Sequence, residues 1–204
     1  MKKIALLLLI CIQSLGNAQV TNGFLRRQNT QFINNDGVVV LKGVNLGNWL
    51  HIEPYMINAP TSVASSYESL HTAITNVTGS TTQADSFFDT WRSKFIQKKD
   101  IDSIAAMGFN HVRVPFPYQL FYNTTTNTYS TEGFFYLDNV VNWCKLNNIY
   151  AVLDLHHAPG GQIDGALWSN YTTNKEITKQ IWRTIAQHYA CLLYTSPSPR
   201  DRTR

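Results

Sequence analysis

The sequence predicts an α/β protein, the N-terminal part of a (β/α)8 TIM barrel, on three observations. Three short apolar runs, Val38–Asn45, Val112–Phe116 and Tyr150–His157, each end in polar residues able to do chemistry. Segments with helical spacing precede the second and third runs, and another follows the third. Long polar stretches follow the strands at Asn123–Glu132 and Ala158–Asn174, whereas the returns from helix to strand are short. Parallel strands alternating with helices, with chemistry at the strand C-terminal ends, mark this class of barrel. A complete barrel takes eight strands and about 200–250 residues or more. Three strand–helix units therefore predict only a piece of one. The alternative is a three-stranded α/β domain, whose open edges would invite aggregation.

The elements follow in order. Met1–Ala18 has Lys2 and Lys3, the apolar stretch Ile4–Ile12 and a Gly16-Asn17-Ala18 exit, which together read as a secretory signal peptide cleaved after Ala18. The apolar stretch is shorter than the roughly 20 residues a membrane span needs. Gln31–Ile33 and Val38–Leu41 flank Asn34-Asn35-Asp36-Gly37, a hairpin signal. Gly47–Thr90, rich in Ser, Thr and Asn, reads as a long loop with an aromatic cluster at Phe87, Phe88 and Trp91. Helices are expected over Ser93–Met107, Leu137–Asn147 and Glu176–Tyr189. The second shows Leu137, Val140, Val141 and Cys144 at i, i+3, i+4 and i+7, and Asn147-Asn148 fits a left-handed cap. Residues 19–190 thus form the barrel part. From Cys191 the chain becomes CLLYTSPSPRDRTR. This tail resembles the translation of a transposase adapter used to prepare sequencing libraries, and is expected not to be encoded by the organism. The other reading is a disordered Pro/Ser/Arg tail.

Without the two ends, Lys plus Arg falls from 17 to 12 and Asp plus Glu from 13 to 12, so the formal charge drops from +4 to zero. The basic character belongs to the ends and gives no support for nucleic-acid or anionic-membrane partners. Cys144 is the one cysteine between those ends, on the apolar face of a helix, so neither an internal disulfide nor a cysteine metal site is expected there.

Strand alternation sorts the side chains. His111, Arg113 and Pro115 share one face of their strand, and Val152, Asp154 and His156 share one face of theirs. The apolar residues between them belong against the helices. A buried arginine costs several kcal/mol unless paired, so Arg113 predicts an inward carboxylate. A hydrogen-bonded core role is the bland reading of a lone His or Arg. Two on neighbouring strands near one mouth favour function. His157 falls at the strand exit. Asp154 and His156 have the spacing of two metal ligands, yet no third ligand is evident, so no metal site is expected.

Gly43–Pro54 (GVNLGNWLHIEP), the run from Lys99 through MGFNHVRVPFPY to Tyr118, and Tyr150–Gln162 (YAVLDLHHAPGGQ) resemble glycoside hydrolase family 5, the cellulase-type barrel family, in its exo-β-1,3-glucanase-like branch. That branch usually has glycine where Asn48 and His157 stand. The resemblance implies retaining hydrolysis of β-glucans by two glutamates, an acid/base and a nucleophile, at the ends of the fourth and seventh strands. None of the glutamates here matches either, so the resemblance implies that the catalytic pair is absent and the piece alone inactive. It further implies that Arg113 keeps the nucleophile ionised and that His156 contacts the sugar at the cleavage subsite. Glu53 would accept hydrogen bonds from terminal glucose hydroxyls, its other reading being an exposed loop carboxylate; Trp49 would offer a stacking face or else pack in the core; and His157 would lie among the substrate-binding residues. No cofactor is implied. The other functional readings are a non-catalytic sugar-binding barrel and a metal-dependent hydrolase.

Overall fold

A computed structural model describes residues 23–160 and 170–190. The expected signal peptide and adapter-like tail lie outside these residues, as does Gln162. The chain begins with a small antiparallel sheet of β1 (Arg26–Gln28), β2 (Gln31–Ile33) and β3 (Val38–Val39). The expected hairpin is therefore present with one further strand. Its turn is tied to the rest of the molecule because Asn34 Nδ2 donates to the Tyr150 hydroxyl at 3.1 Å. Tyr150 starts the last strand of the main sheet, so the hairpin sits at the end opposite the chemistry, as a floor would.

The main sheet is parallel, in the order β4 (Gly43–Asn45), β5 (His111–Pro117), β8 (Tyr150–His157). The predicted first run is thus two short strands, β3 and β4, in different sheets. Register sets Asn45 beside Arg113 and Arg113 beside Val152. The alternation read from the sequence holds: Val112, Val114 and Phe116 are fully buried, while Arg113 is on the other face. Gly43 lies so close to His111 that a Cβ there would run into the His111 carbonyl and ring.

Between β4 and β5 the structure corrects the sequence reading. The presumed loop Gly47–Thr90 contains a 3₁₀ turn (Pro54–Ile57), α1 (Tyr67–Thr78) and most of α2 (Thr81–Phe95). Ser and Thr disfavour helix interiors but serve as caps. Ser66 Oγ accepts from the Ser69 amide at 3.2 Å, and Ser69 Oγ accepts from the Ser66 amide at 2.8 Å. Ser80 caps α2 through a single bond, its Oγ accepting from the Gln83 amide, and Gly79, at φ 70°, makes the left-handed turn between the helices. The apolar face of this pair is narrow. Leu70 and Phe88 close over Ile52, Ala64 and Tyr67 as a second small core. The expected helix over Ser93–Met107 is likewise split, because Ile96 is extended and α3 runs Lys98–Ala106.

After β5 come a 3₁₀ turn (Tyr118–Leu120) and a hairpin of β6 (Tyr122–Asn123) and β7 (Thr128–Tyr129), where the sequence suggested only loop. The helices α4 (Glu132–Leu146) and α5 (Tyr171–His188) both start about five residues earlier than their periodicity indicated. Asn148 has φ 54°, the left-handed cap expected there. Leu137, Val140 and Cys144 of α4 and Ile177, Ile181 and Ile185 of α5 pack with Val112, Val114 and Phe116 in the main core. Burial pushes the Cys144 thiol up to about 12, so it is an inert packing residue. Among the described residues no helix is long and apolar enough to cross a membrane.

One core residue is anomalous. His51 is buried, and neither ring nitrogen has a hydrogen-bond partner. Burial lowers its pKa from 6.5 to about 3, with His157, His156 and Arg92 adding to the effect. The unfolded chain binds this proton below pH 6.5 and the folded chain does not, so stability falls with pH from 6.5 towards 3. One such group gives a slope of up to about 1.4 kcal/mol per pH unit. Thermal unfolding at pH 7 and pH 5 should therefore show the wild-type chain losing stability in acid. His51→Leu should be at least as stable as wild type at pH 7 and lose less at pH 5. Gly43→Val, by wedging β4 from β5, should cost about 1–3 kcal/mol in the same measurement.

Candidate active site

Strands β4, β5 and β8 bring four polar side chains together, Asn45, Arg113, Asp154 and His156. Arg113, paired with the Asp154 carboxylate, also places Nη2 3.0 Å from His156 Nδ1 and donates from Nη1 to Asn45 Oδ1 at 3.2 Å. Asp154 is thus the inward carboxylate that Arg113 predicted. Asp154 Oδ2 lies 3.1 Å from the same His156 nitrogen. Nδ1 therefore faces a donor and an acceptor at once, and either tautomer of the imidazole finds a partner. His156 Nε2 lies 3.8 Å from Glu53 Oε1, an ion-pairing distance rather than a hydrogen bond.

Glu53 reaches the site because its loop is bent sharply. Asn48 adopts φ 60°, and its Oδ1 accepts from the Glu53 amide at 2.9 Å. Asparagine tolerates the left-handed region because its side chain bonds locally. Glu53 then runs into the 3₁₀ turn, where Tyr55 is 73 % exposed. The negative charge of Glu53 raises the Tyr55 hydroxyl pKa above its usual range.

Two expected sugar contacts are corrected. Trp49 is 1 % exposed, its indole N–H donates to the Arg92 carbonyl at 2.7 Å, and its ring stacks near Trp143. It is a core residue with no face left for a ligand, since its flat apolar surface is worth more inside. His157 is fully buried among His51, Tyr118 and Glu68, with Nε2 3.2 Å from Glu68 Oε1. A register shift between Phe116 and Pro117 occurs where β5 passes the two histidines, and Pro117 pairs with His157. Alternation along β8 keeps His156 on the open face with Asp154 and seals His157, its pKa lowered by burial. Sequence reasoning did not single out Tyr55, His51 or a structural role for Glu68. Tyr55 could have been found as an aromatic two residues beyond Glu53; the pairing of Glu68 with His157 spans 89 positions and left no local signal. Among the described residues, no group of three or more His, Cys, Asp or Glu is placed to hold a metal ion.

Known proteins resemble this chain in sequence and in fold. The family model described as "Cellulase (glycosyl hydrolase family 5)" matches residues 67–191. A "Beta-xylosidase" of Phanerodontia chrysosporium is 30% identical over 177 residues, covering 81% of this chain and 36% of its own. An "Endoglucanase C" of Acetivibrio thermocellus is 39% identical over 106 residues, 50% of this chain and 30% of its own. A "Glucan 1,3-beta-glucosidase" of Candida oleophila is 31% identical over 162 residues, 73% and 38%. The crystal structure of a rutinosidase from Aspergillus niger superimposes with a TM-score of 0.50 at 26% identity, covering 61% of this chain and 34% of that one. The chain thus spans between 30% and 38% of the length of these relatives. The shared family and the likeness to that glycosidase imply a TIM-barrel-type fold, of which the three parallel strands and their helices are part. With the family model matched over more than half its length, the chain belongs to glycosyl hydrolase family 5.

Proposed function

We propose that this chain is the N-terminal part of a secreted, retaining β-glucan hydrolase with a closed (β/α)8 barrel, and that it supplies the wall of the cleft that grips the sugar. The observation that carries this reading is the convergence of Arg113, Asp154 and His156 from two parallel strands with Glu53 from the loop after β4, in a family 5 chain. The acid/base and nucleophile glutamates belong, on this reading, to strands beyond residue 190. Arg113, fixed by Asp154 and Asn45, presents a positive charge that favours the ionised form of any carboxylate brought beside it. A retaining mechanism needs its nucleophile in that form. The Glu53 carboxylate accepts from sugar hydroxyls, the exposed Tyr55 ring covers a pyranose C–H face, and His156 bonds a hydroxyl near the cleaved linkage. The names of the relatives include an endoglucanase and a glucan 1,3-beta-glucosidase, which supports a β-glucan as substrate. Secretion rests on the signal-like features of Met1–Ala18, and no cofactor enters the scheme.

The full-length protein should release reducing sugar from laminarin or carboxymethyl-cellulose in preference to mannan. Arg113→Met, checked for folding by circular dichroism, should lower kcat at least 100-fold, about 2.7 kcal/mol of transition-state stabilisation. Binding of glucan without release would make the protein a sugar-binding barrel. Loss of all activity with chelator would point to a metal hydrolase. Neither binding nor release would overturn the assignment.

A further inference from the structure

Helix α2 is apolar on two faces, and only one of them is covered. Ala84, Phe88 and Arg92 form its buried row. One position earlier, Phe87, Trp91 and Phe95 follow the same spacing of four, so they make a second row about 100° further round the helix. Their rings run as a ladder: Phe87 and Trp91 lie 6.3 Å apart between centroids, and Trp91 stacks on Phe95 at 4.7 Å. Phe87 is 44 % and Phe95 42 % exposed, and with Thr90 and Lys94 the three rings border an open groove of about 450 Å³. A helix with more than one apolar stripe is buried on more than one side, and a contiguous exposed aromatic row marks a contact surface.

The neighbours of α2 fix which way this row looks. One position after the buried row, Asp89 Oδ1 accepts from the Tyr136 hydroxyl at 3.5 Å, and Ser93 borders a crevice with Tyr136, Asn139 and Trp143. That flank faces α4, which packs against β5. The aromatic row is on the other flank, turned away from β5. Two crossed indole bonds hold the helix in this attitude: Trp49 Nε1 donates to the Arg92 carbonyl at 2.7 Å, and Trp91 Nε1 donates to the Asn48 carbonyl at 2.6 Å. Asn48 and Trp49 belong to the segment that leaves β4. Among the described residues β4 pairs with β5 alone, so its other edge carries unpaired backbone groups on the side to which the aromatic row turns.

The chemistry of the row narrows what it would take. A pyranose site needs fixed polar groups beside its rings; here the groove is lined by Thr90 and Lys94 besides the rings, and Trp91 gives one face to Phe95. A nucleic acid would need more than the single cation of Lys94. An apolar element arriving beside the free edge of β4 fits both the rings and the edge. In a closed barrel that element is the last strand–helix unit, and the relatives, of which this chain covers 30% to 38%, have the length for it.

We propose that α2 is a clasp: Phe87, Trp91 and Phe95 seat the last strand–helix unit of the full-length protein and so lock the first strand to the last. This rests on the closed barrel of the proposed function and adds to it a docking surface on a helix outside the strand–helix alternation. The test uses the full-length protein, as wild type under hydroxyl-radical footprinting and as Lys94→p-benzoylphenylalanine under ultraviolet light. Irradiation should join position 94 to a peptide of the last strand–helix unit, in a product that runs as a monomer. Phe87 and Phe95 should be oxidised at least tenfold more slowly in the folded protein than in urea, where the 44 and 42 % exposure of an open row gives a slowing of only about twofold. Both results are required. Slowing of about twofold, or no cross-link to that unit, overturns the proposal, as does a cross-link to a second copy or protection that arises only with added laminarin. Laminarin hydrolysis by the same preparation separates the two readings. An active enzyme with an open row loses the clasp alone, whereas a cross-linked, protected row in a protein that neither binds nor cleaves glucan keeps the clasp and overturns the proposed function.

Discussion

The arginine on β5 is the constraint around which the site is built. A guanidinium set on the inward face of a parallel strand keeps its charge at any accessible pH, so the strands beside it must supply acceptors. Asp154 on β8 and Asn45 on β4 do so, and together they tie all three strands of the sheet across one face. His156 is then placed by the same guanidinium rather than by its own strand alone. Removing one member leaves a charge or a lone pair without its partner in a half-buried setting, which costs more than the pair contributes. The site and the sheet are thus held by the same contacts.

The strands carrying this cluster were legible in the sequence because their signals are local. Period-two alternation separated Arg113 from Val112 and Val114, and the need of a buried cation for an anion pointed to a carboxylate on a neighbouring strand. Asp154 was already on the correct face. Helices α4 and α5 were visible through their apolar stripes, although their polar first turns were not.

What the sequence concealed has a common physical cause. The α1–α2 pair is made of residues with weak helical preference and is held by caps and by a small core assembled from distant segments, Ile52 with Leu70 and Phe88. Tertiary packing overrides propensity there. Trp49 failed as a stacking platform for the same reason: whether an indole faces solvent depends on what lies over it, here Trp143 almost a hundred positions away. The burial of His51 against His157 joins a loop to the end of β8, which no spacing rule connects.

The two adjacent histidines have opposite fates because neighbouring side chains on a strand take turns between its two faces. His156 shares the open face with Asp154 and meets Arg113, while His157 is sealed against His51 and Tyr118. Insertion or loss of a single residue in β8 ahead of them would exchange the two faces, sealing His156 inside and turning His157 outward. The count of residues along β8 is therefore as much a part of this molecule's chemistry as the residues themselves.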